Sequence, residues 1–561
     1  MSRLLTLHDP AVANAYRAAG LWHDETFYAL LAKHAAARPD GYAVRDSVRR
    51  LTWAELKDWV DAIADTLHET GVRAGERVAL WGSNRAEIVA CFLACSRNGY
   101  VCNPSLHRNY TVEEITGLLA RVRSTVAVVE EGWGADTDRH DPFSAIGSLP
   151  DMRRVFRLPK ARDSGELPPL GTAPRHLREA DLNADSVCYL AFTSGTTGAP
   201  KGVMHCDNSL LANCRDLVAD WDHDHKTVLL SLSPLSHHIA WVAVGQAMVA
   251  GMELVVDDPA PGMSRLDWMI ESGATYVMGV PTHAMDIQAE QARRGITKLG
   301  SVDLFYMAGS PIPPAVAERF LQQGVRPQNI YGMTENSSHQ YTLPHDDAVT
   351  VCTTCGRGGP AYSVRIFDQE NPDIEVAPGT IGQIGGKGAA LMLGYFNNQE
   401  ATERSFNADG WFLSGDLGVL DAAGNLSIVG RLKDVVIRGG HNIFPARVED
   451  LTVKHPDIAK AAAFPVPDER LGERLCLAVL CAGETIPEAD AILRHLYAVG
   501  LSKYDMPEYF LVMDAFPLTP SGKILKRELA DWAKSGRIAP VPCRFTVPDS
   551  QPENQRKGAT P

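Results

Sequence analysis

The sequence predicts an α/β protein, with a large N-terminal domain of layered, mostly parallel sheets and helices followed by a small α+β domain. Three observations lead to this fold class. The chain of 561 residues is too long for one hydrophobic core. Helical and strand patterns alternate over most of its length, as they do in parallel α/β layers. From about residue 430 to residue 535, the pattern changes to short strands, a glycine turn and a helix, which indicates a second compact unit.

The spacing of apolar residues predicts the individual elements. Residues 51–71 place apolar side chains at helical spacing and end at a glycine, so they predict an amphipathic helix. Residues 76–82 predict a short strand, residues 86–99 a buried helix and residues 125–130 another strand. The stretch 227–252 has no Asp, Glu, Lys or Arg, but Ser, Pro, His and Gln interrupt it. We therefore expect a strand, a turn and a buried helix there rather than a membrane span.

Composition narrows the class of function. The formal net charge is −14 and the sequence pI is about 5.7, so we expect no basic face for nucleic acid or for an anionic membrane. The N-terminus lacks the pattern of a signal peptide, and the eleven cysteines show no regular disulfide framework, so the sequence predicts a cytoplasmic enzyme. The pair Cys352 and Cys355 is interpreted as a plain loop, because no second pair or histidine cluster at zinc spacing accompanies it.

The segment TSGTTGAPKG, residues 193–202, combines glycines, hydroxyl side chains and a lysine. Glycines let backbone N–H groups approach an anion closely, while hydroxyls and the lysine add donors and charge. The spacing is not that of a Walker loop, because only two residues separate Gly195 from Gly198 and a glycine follows Lys201. By itself, the segment fits a phosphate site and an ordinary glycine-rich loop about equally well.

Further motifs follow this segment along the chain. They are YGMTE at 331–335, GWFLSGD at 410–416, GRLKD at 430–434, RGGHNIFP at 438–445 and PLTPSGKILK at 517–526. With these motifs in this order, residues 25–535 resemble the adenylate-forming superfamily of acyl-CoA synthetases, aryl-acid ligases, luciferases and adenylation domains. The chain is similar in particular to acid:CoA ligases, including cyclohexanecarboxylate–CoA ligase-like members. The resemblance implies ATP, Mg2+ and coenzyme A as cofactors.

The resemblance also implies a nucleotide site. Thr334 would contact the α-phosphate, Glu335 would hold the metal, Tyr331 would stack on adenine, and Asp416 would accept the ribose hydroxyls. Arg431 would bind the ribose or phosphate side. The remaining residues implied to bind ATP or AMP are Thr193, Ser194, Gly195, Thr196, Thr197, Gly198, Lys201, Gly309, Ser310, Pro311, Gly332 and Met333.

Two half-reactions are implied, with the small domain swinging between them. Lys523 would neutralise charge as the acyl-AMP forms, although without the resemblance it would be interpreted as a solvated lysine in a basic stretch. Lys433 and Asp434 would form the hinge. The implied organisation is an N-terminal domain at 1–430, a hinge at 431–435, a mobile domain at 436–540 and a disordered tail at 541–561. Gly439 and Gly440 would admit the pantetheine arm of CoA.

The acid itself is predicted to be compact and hydrophobic. His237 matches the histidine that lies between the acyl pocket and the thiol tunnel in acyl-CoA synthetases, and Trp241 lies one helical turn beyond it. An indole in the tunnel would shorten it, which favours an alicyclic, aromatic or short- to medium-chain acid. No Asp occurs between Ser231 and Ala250 to pair with a substrate ammonium, which disfavours an amino acid. The other residues predicted to line the pocket are Val280, Ala308, Met333 and His339.

Two alternative functions stay open at this stage. An acyl-AMP ligase would pass the acyl group to the pantetheine of a separate carrier protein, since the sequence after residue 540 is too short for a fused carrier domain. A non-catalytic nucleotide-binding relative would keep only the fold, but the joint presence of Thr334, Glu335, Asp416 and Lys523 argues against it. Either a monomer or a homodimer is compatible with the sequence.

Overall fold

The structure, a computed structural model, describes residues 5–176, 178–193, 200–309, 312–483, 485–518 and 523–546. The chain divides into two compact units. The first unit runs through Ser414 and also includes Gly418–Ile428. The second consists of Gly415–Leu417 and the chain from Val429 onward, so the division falls next to the boundary at 430 expected from the sequence.

The helices are numbered in chain order. They are α1 (Pro10–Ala18), α2 (Phe27–Ala37), α3 (Trp53–Glu69), α4 (Ala86–Asn98), α5 (Val112–Val122), α6 (Pro142–Gly147), α7 (Asp207–Asp220), α8 (His238–Ala250), α9 (Arg265–Ser272), α10 (Pro281–Arg294), α11 (Pro314–Gln322), α12 (Ala348–Thr353), α13 (Gln399–Glu403), α14 (Pro445–Thr452), α15 (Ala489–Ala498) and α16 (Lys526–Ser535).

The strands are numbered in the same way. They are β1 (Tyr42–Arg45), β2 (Arg50–Thr52), β3 (Arg77–Trp81), β4 (Val101–Asn103), β5 (Ser124–Glu130), β6 (Arg154–Leu158), β7 (Val187–Thr193), β8 (Lys201–Cys206), β9 (Val228–Ser231), β10 (Glu253–Val256), β11 (Tyr276–Gly279), β12 (Leu304–Ala308), β13 (Arg326–Met333), β14 (Ser337–Tyr341), β15 (Tyr362–Phe367), β16 (Gly382–Gly388), β17 (Phe412–Leu420), β18 (Leu426–Arg431), β19 (Val436–Arg438), β20 (His441–Ile443), β21 (Ile458–Asp468), β22 (Gly472–Cys481), β23 (Tyr509–Val512) and β24 (Val541–Pro542).

In the helix predicted over residues 51–71, the sequence explains where the helix begins and which face is buried. Thr52 caps α3: its hydroxyl accepts from the backbone N–H of Glu55, and the Glu55 carboxylate accepts from the N–H of Thr52. The apolar stripe that includes Trp53 and Trp59 is fully buried, while the opposite face carries charged residues. The predicted amphipathic helix is thus confirmed, and its interior face is part of the largest core cluster.

Two sheets of the first unit are mostly parallel, as predicted. The six-stranded sheet has the order β6-β5-β3-β4-β7-β8, with only the β7–β8 pair antiparallel. The eight-stranded sheet has the order β14-β13-β12-β11-β9-β10-β1-β2, with antiparallel pairs only at its two ends. Fully buried parallel strands are typically continuous apolar runs, which is why strands such as β3 and β5 could be predicted from the sequence.

The apolar stretch 227–252 forms β9, a turn and α8, as expected. The α8 helix is almost entirely apolar and lies in the main core cluster. Across the described ranges, no helix combines the length and the apolar character that crossing a membrane requires. A small sheet with the order β15-β16-β17-β18 follows the two large sheets along the chain.

The second unit has its own sheet and core. Its strand order is β20-β19-β22-β23-β24, with β21 also paired to β22. The helices α14 and α15 contribute to one core cluster of this unit, and α16 contributes to the other. Strand β24 pairs with β23 through Val541 and Pro542, so ordered structure extends past the boundary at 540 expected from the sequence. Residues 547–561, the rest of the tail predicted to be disordered, lie outside the described residues.

Candidate active site

The predicted site residues of the first unit follow the carboxyl ends of neighbouring parallel strands. His237 follows β9, Val280 follows β11, Ala308 ends β12 and Met333 ends β13, and these strands are adjacent in the order β13-β12-β11-β9. In open parallel sheets, ligands bind outside the carboxyl ends of the strands. The fold therefore brings these side chains to one edge of one sheet.

A tight turn at residues 334–336 joins β13 to β14 and carries the predicted phosphate and metal ligands. Gly332 is required before it, because a Cβ there would lie 1.7 Å from the Ser337 carbonyl oxygen. The Asn336 side chain closes the turn by accepting from the N–H of Met333 at 3.0 Å and donating to the Tyr362 hydroxyl at 3.2 Å. The turn is therefore fixed by its own contacts.

Glu335 is buried, with 8% of its surface exposed, and its Oε1 accepts a 2.9 Å hydrogen bond from the Tyr395 hydroxyl. The Nζ of Lys201 lies 4.5 Å from the centroid of the same Tyr395 ring, which is a cation–π contact. Burial and the nearby Glu335 carboxylate raise the pKa of Tyr395, so the phenol stays neutral and donates. Tyr395 thus joins the predicted phosphate-binding lysine to the predicted metal-binding carboxylate.

The Glu335 carboxylate fits the preference of Mg2+ for hard oxygen ligands. An ionised carboxylate offers about four acceptor positions, so the bond from Tyr395 is compatible with a metal on the same group. Within the described residues, no group of three or more His, Cys, Asp and Glu side chains forms a metal cage. Mg2+ is commonly held by one or two carboxylates together with the phosphates of a substrate, and Glu335 would supply one such carboxylate. Cys352 and Cys355 are both free thiols.

Tyr331 and His339 lie together in the first unit. Their ring centroids are 5.4 Å apart in an edge-to-face arrangement, and His339 also packs 4.3 Å from Tyr362. Burial lowers the pKa of His339 to about 3, so its imidazole is neutral. Gly309 follows β12 with a φ of +91°. Ser310 and Pro311, with Ser194, Gly195, Thr196, Thr197 and Gly198, lie outside the described residues.

His237 precedes α8 and packs its ring 4.4 Å from His107, whose Nδ1 lies 3.0 Å from the Ser236 hydroxyl. Trp241 is 1% exposed, and its indole N–H donates to the Leu235 carbonyl at 2.7 Å. Its ring packs 4.3 Å from Phe92, as part of the main core cluster. These contacts explain Trp241 as a core residue, and its predicted place in an acyl pocket stays a prediction.

In the second unit, the Arg431 guanidinium lies 3.2 Å from the Asp416 carboxylate. Asp416 is buried on β17, and Arg431 ends β18, so strand pairing explains their proximity. The two residues implied to bind the ribose are thus brought together. Lys433 and Asp434 follow in a single 3-10 turn between β18 and β19.

Lys523 is exposed in the short segment before α16. The segment is closed by antiparallel pairing of Leu518 with Ile524 and by a 2.8 Å hydrogen bond from the N–H of Leu525 to the Pro517 carbonyl. The ammonium of the neighbouring Lys526 pairs at 2.7 Å with the largely buried Glu449 carboxylate.

Gly439 and Gly440 form the two-residue turn of the β19–β20 hairpin, in which Arg438 pairs with His441. Their φ angles are +58° and +86°. Positive φ at both central residues is the signature of a type I′ turn, which favours glycine at each position. Hairpin geometry therefore explains both glycines, and their predicted contact with pantetheine stays a prediction.

Sequence reasoning missed two residues that contact the predicted site. Tyr395 lies in the segment LMLGYF, which carries no charge or motif signal, and only the fold brings it to Glu335. His205 lies three residues after the glycine that ends the phosphate segment, and its Nε2 is 2.7 Å from the Thr334 carbonyl oxygen. A buried histidine within an apolar strand was the one available signal for it.

Comparisons with known proteins agree with this arrangement. The model of the AMP-binding enzyme family matches residues 31–396, and the model of the AMP-binding enzyme C-terminal domain matches residues 447–523. The chain belongs to the AMP-binding enzyme family. The predicted resemblance to the adenylate-forming superfamily is thereby confirmed.

Curated relatives match almost the whole chain. A medium-chain fatty-acid–CoA ligase of Escherichia coli is 28% identical over 91% of this chain and 91% of its own length. A feruloyl-CoA synthase of an Amycolatopsis species is 32% identical over 89% of this chain and 97% of its own length. The ATP-bound crystal structure of MatB from Rhodopseudomonas palustris is 27% identical, with a TM-score of 0.79 over 91% of this chain and 99% of that one. The family and these ligases support the same general activity here, AMP-forming ligation of an acid to CoA with ATP and Mg2+.

Proposed function

We propose that this enzyme activates a compact hydrophobic carboxylic acid as an acyl-AMP and transfers the acyl group to CoA, releasing pyrophosphate and then AMP. The contact set around Tyr395 carries this proposal. The Tyr395 ring contacts the Lys201 ammonium, and the Tyr395 hydroxyl donates to the Glu335 carboxylate. Glu335 lies at the sheet edge that also carries Thr334. A cation and a metal-binding carboxylate held side by side suit the polyphosphate of ATP.

The first step joins the acid to the nucleotide. A carboxylate oxygen attacks the α-phosphorus, the bond to the bridging oxygen of the β-phosphate breaks, and pyrophosphate leaves. Thr334 would bind the α-phosphate, and Lys201 would offset charge on the departing phosphates. When bound at Glu335, Mg2+ would neutralise phosphate charge and orient the leaving group. Lys523 would offset the charge of both the acid and the α-phosphate.

The second step transfers the acyl group. The CoA sulfur attacks the acyl carbonyl carbon, and the bond to the phosphate oxygen breaks to release AMP. We assign His237 to the boundary between the acid and the thiol, and Gly439 and Gly440 to the approach of pantetheine. In this proposal the turn at Lys433 and Asp434 is the hinge that exchanges Lys523 for the glycine hairpin.

Several observations support a compact, uncharged acid. The α8 helix that follows His237 is apolar and carries no Asp, Glu, Lys or Arg. Three relatives are named for medium-chain, feruloyl and bicyclic propanoyl acids, while another, of Thermus thermophilus, is named for a long-chain fatty acid. The first three names agree with an acid of moderate size, and the fourth makes chain length the property to test.

A pyrophosphate-release screen tests this proposal. Alicyclic, aromatic and straight-chain acids of two to sixteen carbons would be compared with amino acids, each with CoA and without it. We expect sustained turnover only with CoA and a compact acid. Equal turnover with CoA omitted, or a preference for long chains or amino acids, would contradict it. Turnover with a pantetheine-loaded carrier protein but not with CoA would favour the carrier-loading alternative.

A further inference from the structure

Two histidines, one buried and one half-buried, contact opposite ends of the turn between β13 and β14. His205 lies on β8, and His238 begins α8, so they reach the turn from different elements of the first unit. Their rings lie 5.7 Å apart with an interplanar angle of 23°, which is a stacked arrangement. Neither residue is among those assigned above to ATP, the metal, the acid or CoA.

His205 bonds to the start of the turn. Its Nε2 lies 2.7 Å from the Thr334 carbonyl oxygen, which can only accept, so Nε2 carries the hydrogen and donates. Its Nδ1 lies 3.0 Å from the Ser209 hydroxyl, which also lies 3.1 Å from the Cys206 carbonyl oxygen. The side chain is fully buried, and burial lowers the pKa of His205 to about 4. The imidazole is accordingly neutral, with its tautomer set by the Thr334 carbonyl oxygen.

His238 bonds to the end of the turn. Its Nε2 lies 3.1 Å from the Ser337 hydroxyl, and its Nδ1 lies 3.3 Å from the Tyr189 hydroxyl. Ser337 has a φ of +59°, a left-handed conformation that a non-glycine residue rarely adopts. Such a conformation persists where surrounding contacts determine it, and the bond from His238 is one such contact.

We propose that His205 and His238 are positioning residues, which hold the two ends of the Thr334–Ser337 turn so that Thr334 and Glu335 face the phosphates and metal in one fixed geometry. This inference rests on the proposed function, which assigns those ligands to the turn. The two imidazoles act through the turn, and the effect belongs to the adenylation step because that step uses Thr334 and Glu335. Pre-organised contacts of this kind contribute to rate more than to ground-state binding.

The central test compares three variants of the full chain. His205→Leu removes the donor to Thr334 while keeping a buried side chain of similar size. His205→Gln keeps an amide that can donate to the carbonyl. His223→Leu is the matched control, because His223 is another largely buried histidine of this unit, stacked 4.5 Å from Tyr276, with its pKa likewise lowered to about 4 by burial.

Two readouts distinguish positioning from a loss of general stability. We expect His205→Leu to lower kcat for acyl-AMP formation 10- to 100-fold, with the KM for ATP changed less than 3-fold and thioester formation from supplied acyl-adenylate within 3-fold of wild type. Hydrogen exchange of the 334–337 amides should accelerate at least 10-fold. His205→Gln should recover most of both effects, and His223→Leu should show neither.

Equal effects of His205→Leu and His223→Leu on kcat and on local exchange would overturn the proposal. So would a failure of His205→Gln to differ from His205→Leu. Hydrogen exchange needs no turnover, so it tests the positioning of the turn even if the wild-type enzyme adenylates no acid in the screen. A wild-type enzyme that adenylates no acid would reject the proposed function and not this inference.

Ser337→Ala gives a second test if His205→Leu does not fold. It removes the partner of His238 without changing either imidazole, and alanine tolerates the positive φ no worse than serine does. We expect a 3- to 10-fold loss of adenylation kcat, with faster exchange of the amides of the turn. Wild-type values for both would contradict the role assigned to His238.

Discussion

The turn at residues 334–336 and the described residues on either side of Lys523 are held by different kinds of contact. The turn is fixed by Asn336, Tyr395 and His205 within the first unit. Lys523 itself is exposed, and the described residues on either side of it are joined by the pairing of Leu518 with Ile524 and by the backbone bond from Leu525 to Pro517. The predicted phosphate and metal ligands are therefore held by side-chain contacts from several elements, whereas Leu518, Ile524 and Leu525, on either side of Lys523, are held by backbone pairings.

The largest expected effect comes from replacing Lys523 of the second unit. Lys523→Ala should lower acyl-AMP formation roughly 100- to 1,000-fold, because it removes one group that stabilises transition-state charge. Thioester formation from supplied acyl-adenylate should stay within about 3-fold, and the unfolding free energy should barely change. Rapid-quench assays of each half-reaction, with thermal unfolding, would measure this.

Lys526→Met is the matched control for that variant. It removes the 2.7 Å partner of Glu449, whose pKa is raised by burial, and should destabilise the second unit by about 2 kcal/mol. Both half-reactions should retain near-normal rates below the unfolding temperature. Equal loss of both half-reactions in Lys523→Ala would show that Lys523 does not belong to the first step alone.

Replacing Trp241 tests whether its side chain lines the acyl pocket or belongs to the core alone. Trp241→Ala and Trp268→Ala each remove a buried indole whose N–H bonds a backbone carbonyl, so each should cost about 3–5 kcal/mol of stability. If Trp241 also lines the acyl pocket, only its variant should shift kcat/KM toward acids several carbons longer. The measurement is kcat/KM over a homologous series of acids at a temperature where both variants stay folded. An unchanged rank order in both would assign Trp241 to the core alone.

Tyr395→Phe tests the link between the metal and phosphate contacts with a smaller change. It deletes the hydroxyl that donates to Glu335 but keeps the ring beneath Lys201. A hydrogen bond to a charged group is worth about 1.5–3 kcal/mol, so we expect kcat/KM for MgATP to fall on the order of 10- to 100-fold. A higher Mg2+ requirement should accompany it, read from a titration of rate against free Mg2+. Wild-type Mg2+ dependence would separate Tyr395 from the metal.

The pH dependence of stability should carry two opposing contributions from the first unit. The pKa of His205 is lowered to about 4, below an unfolded value of about 6.5, so its burial costs stability as pH falls through that window. Burial raises the pKa of Asp216 to about 7, above its unfolded value, so this group adds stability as pH falls from 7 toward 4.

Each group contributes a slope of at most about 1.4 kcal/mol per pH unit in its window. His205→Gln should flatten the acid loss of stability, and Asp216→Asn should steepen it. Urea unfolding between pH 7.5 and 4.5 would measure both slopes, and the same sign for the two variants would contradict these pKa directions.

The sequence predicted many of the regular elements, for a physical reason. Buried parallel strands and amphipathic helices leave local patterns, so elements such as β5 and α3 could be predicted from short windows. Val280, Ala308 and Met333 lie at one edge of one sheet because of the order of its strands. All three were predicted from the sequence to line one pocket.

Contacts between distant segments could not be predicted in this way. Tyr395 reaches Glu335 across 60 positions and His205 reaches Thr334 across 129, and no local pattern records either pairing. For Trp241, the helical spacing from His237 predicts its position on α8 but not whether that side of the helix faces a ligand or the core. Likewise, the hairpin turn favours glycine at positions 439 and 440 whether or not pantetheine binds there.

Tracing one oxygen atom tests the central claim most directly. With the carboxylate of an accepted acid labelled with oxygen-18, attack on the α-phosphorus followed by transfer to CoA leaves one labelled oxygen in AMP. We predict AMP heavier by two mass units, unlabelled pyrophosphate and acyl-CoA that keeps the other labelled oxygen. Unlabelled AMP, or label appearing in inorganic phosphate together with ADP, would contradict an acyl-adenylate route.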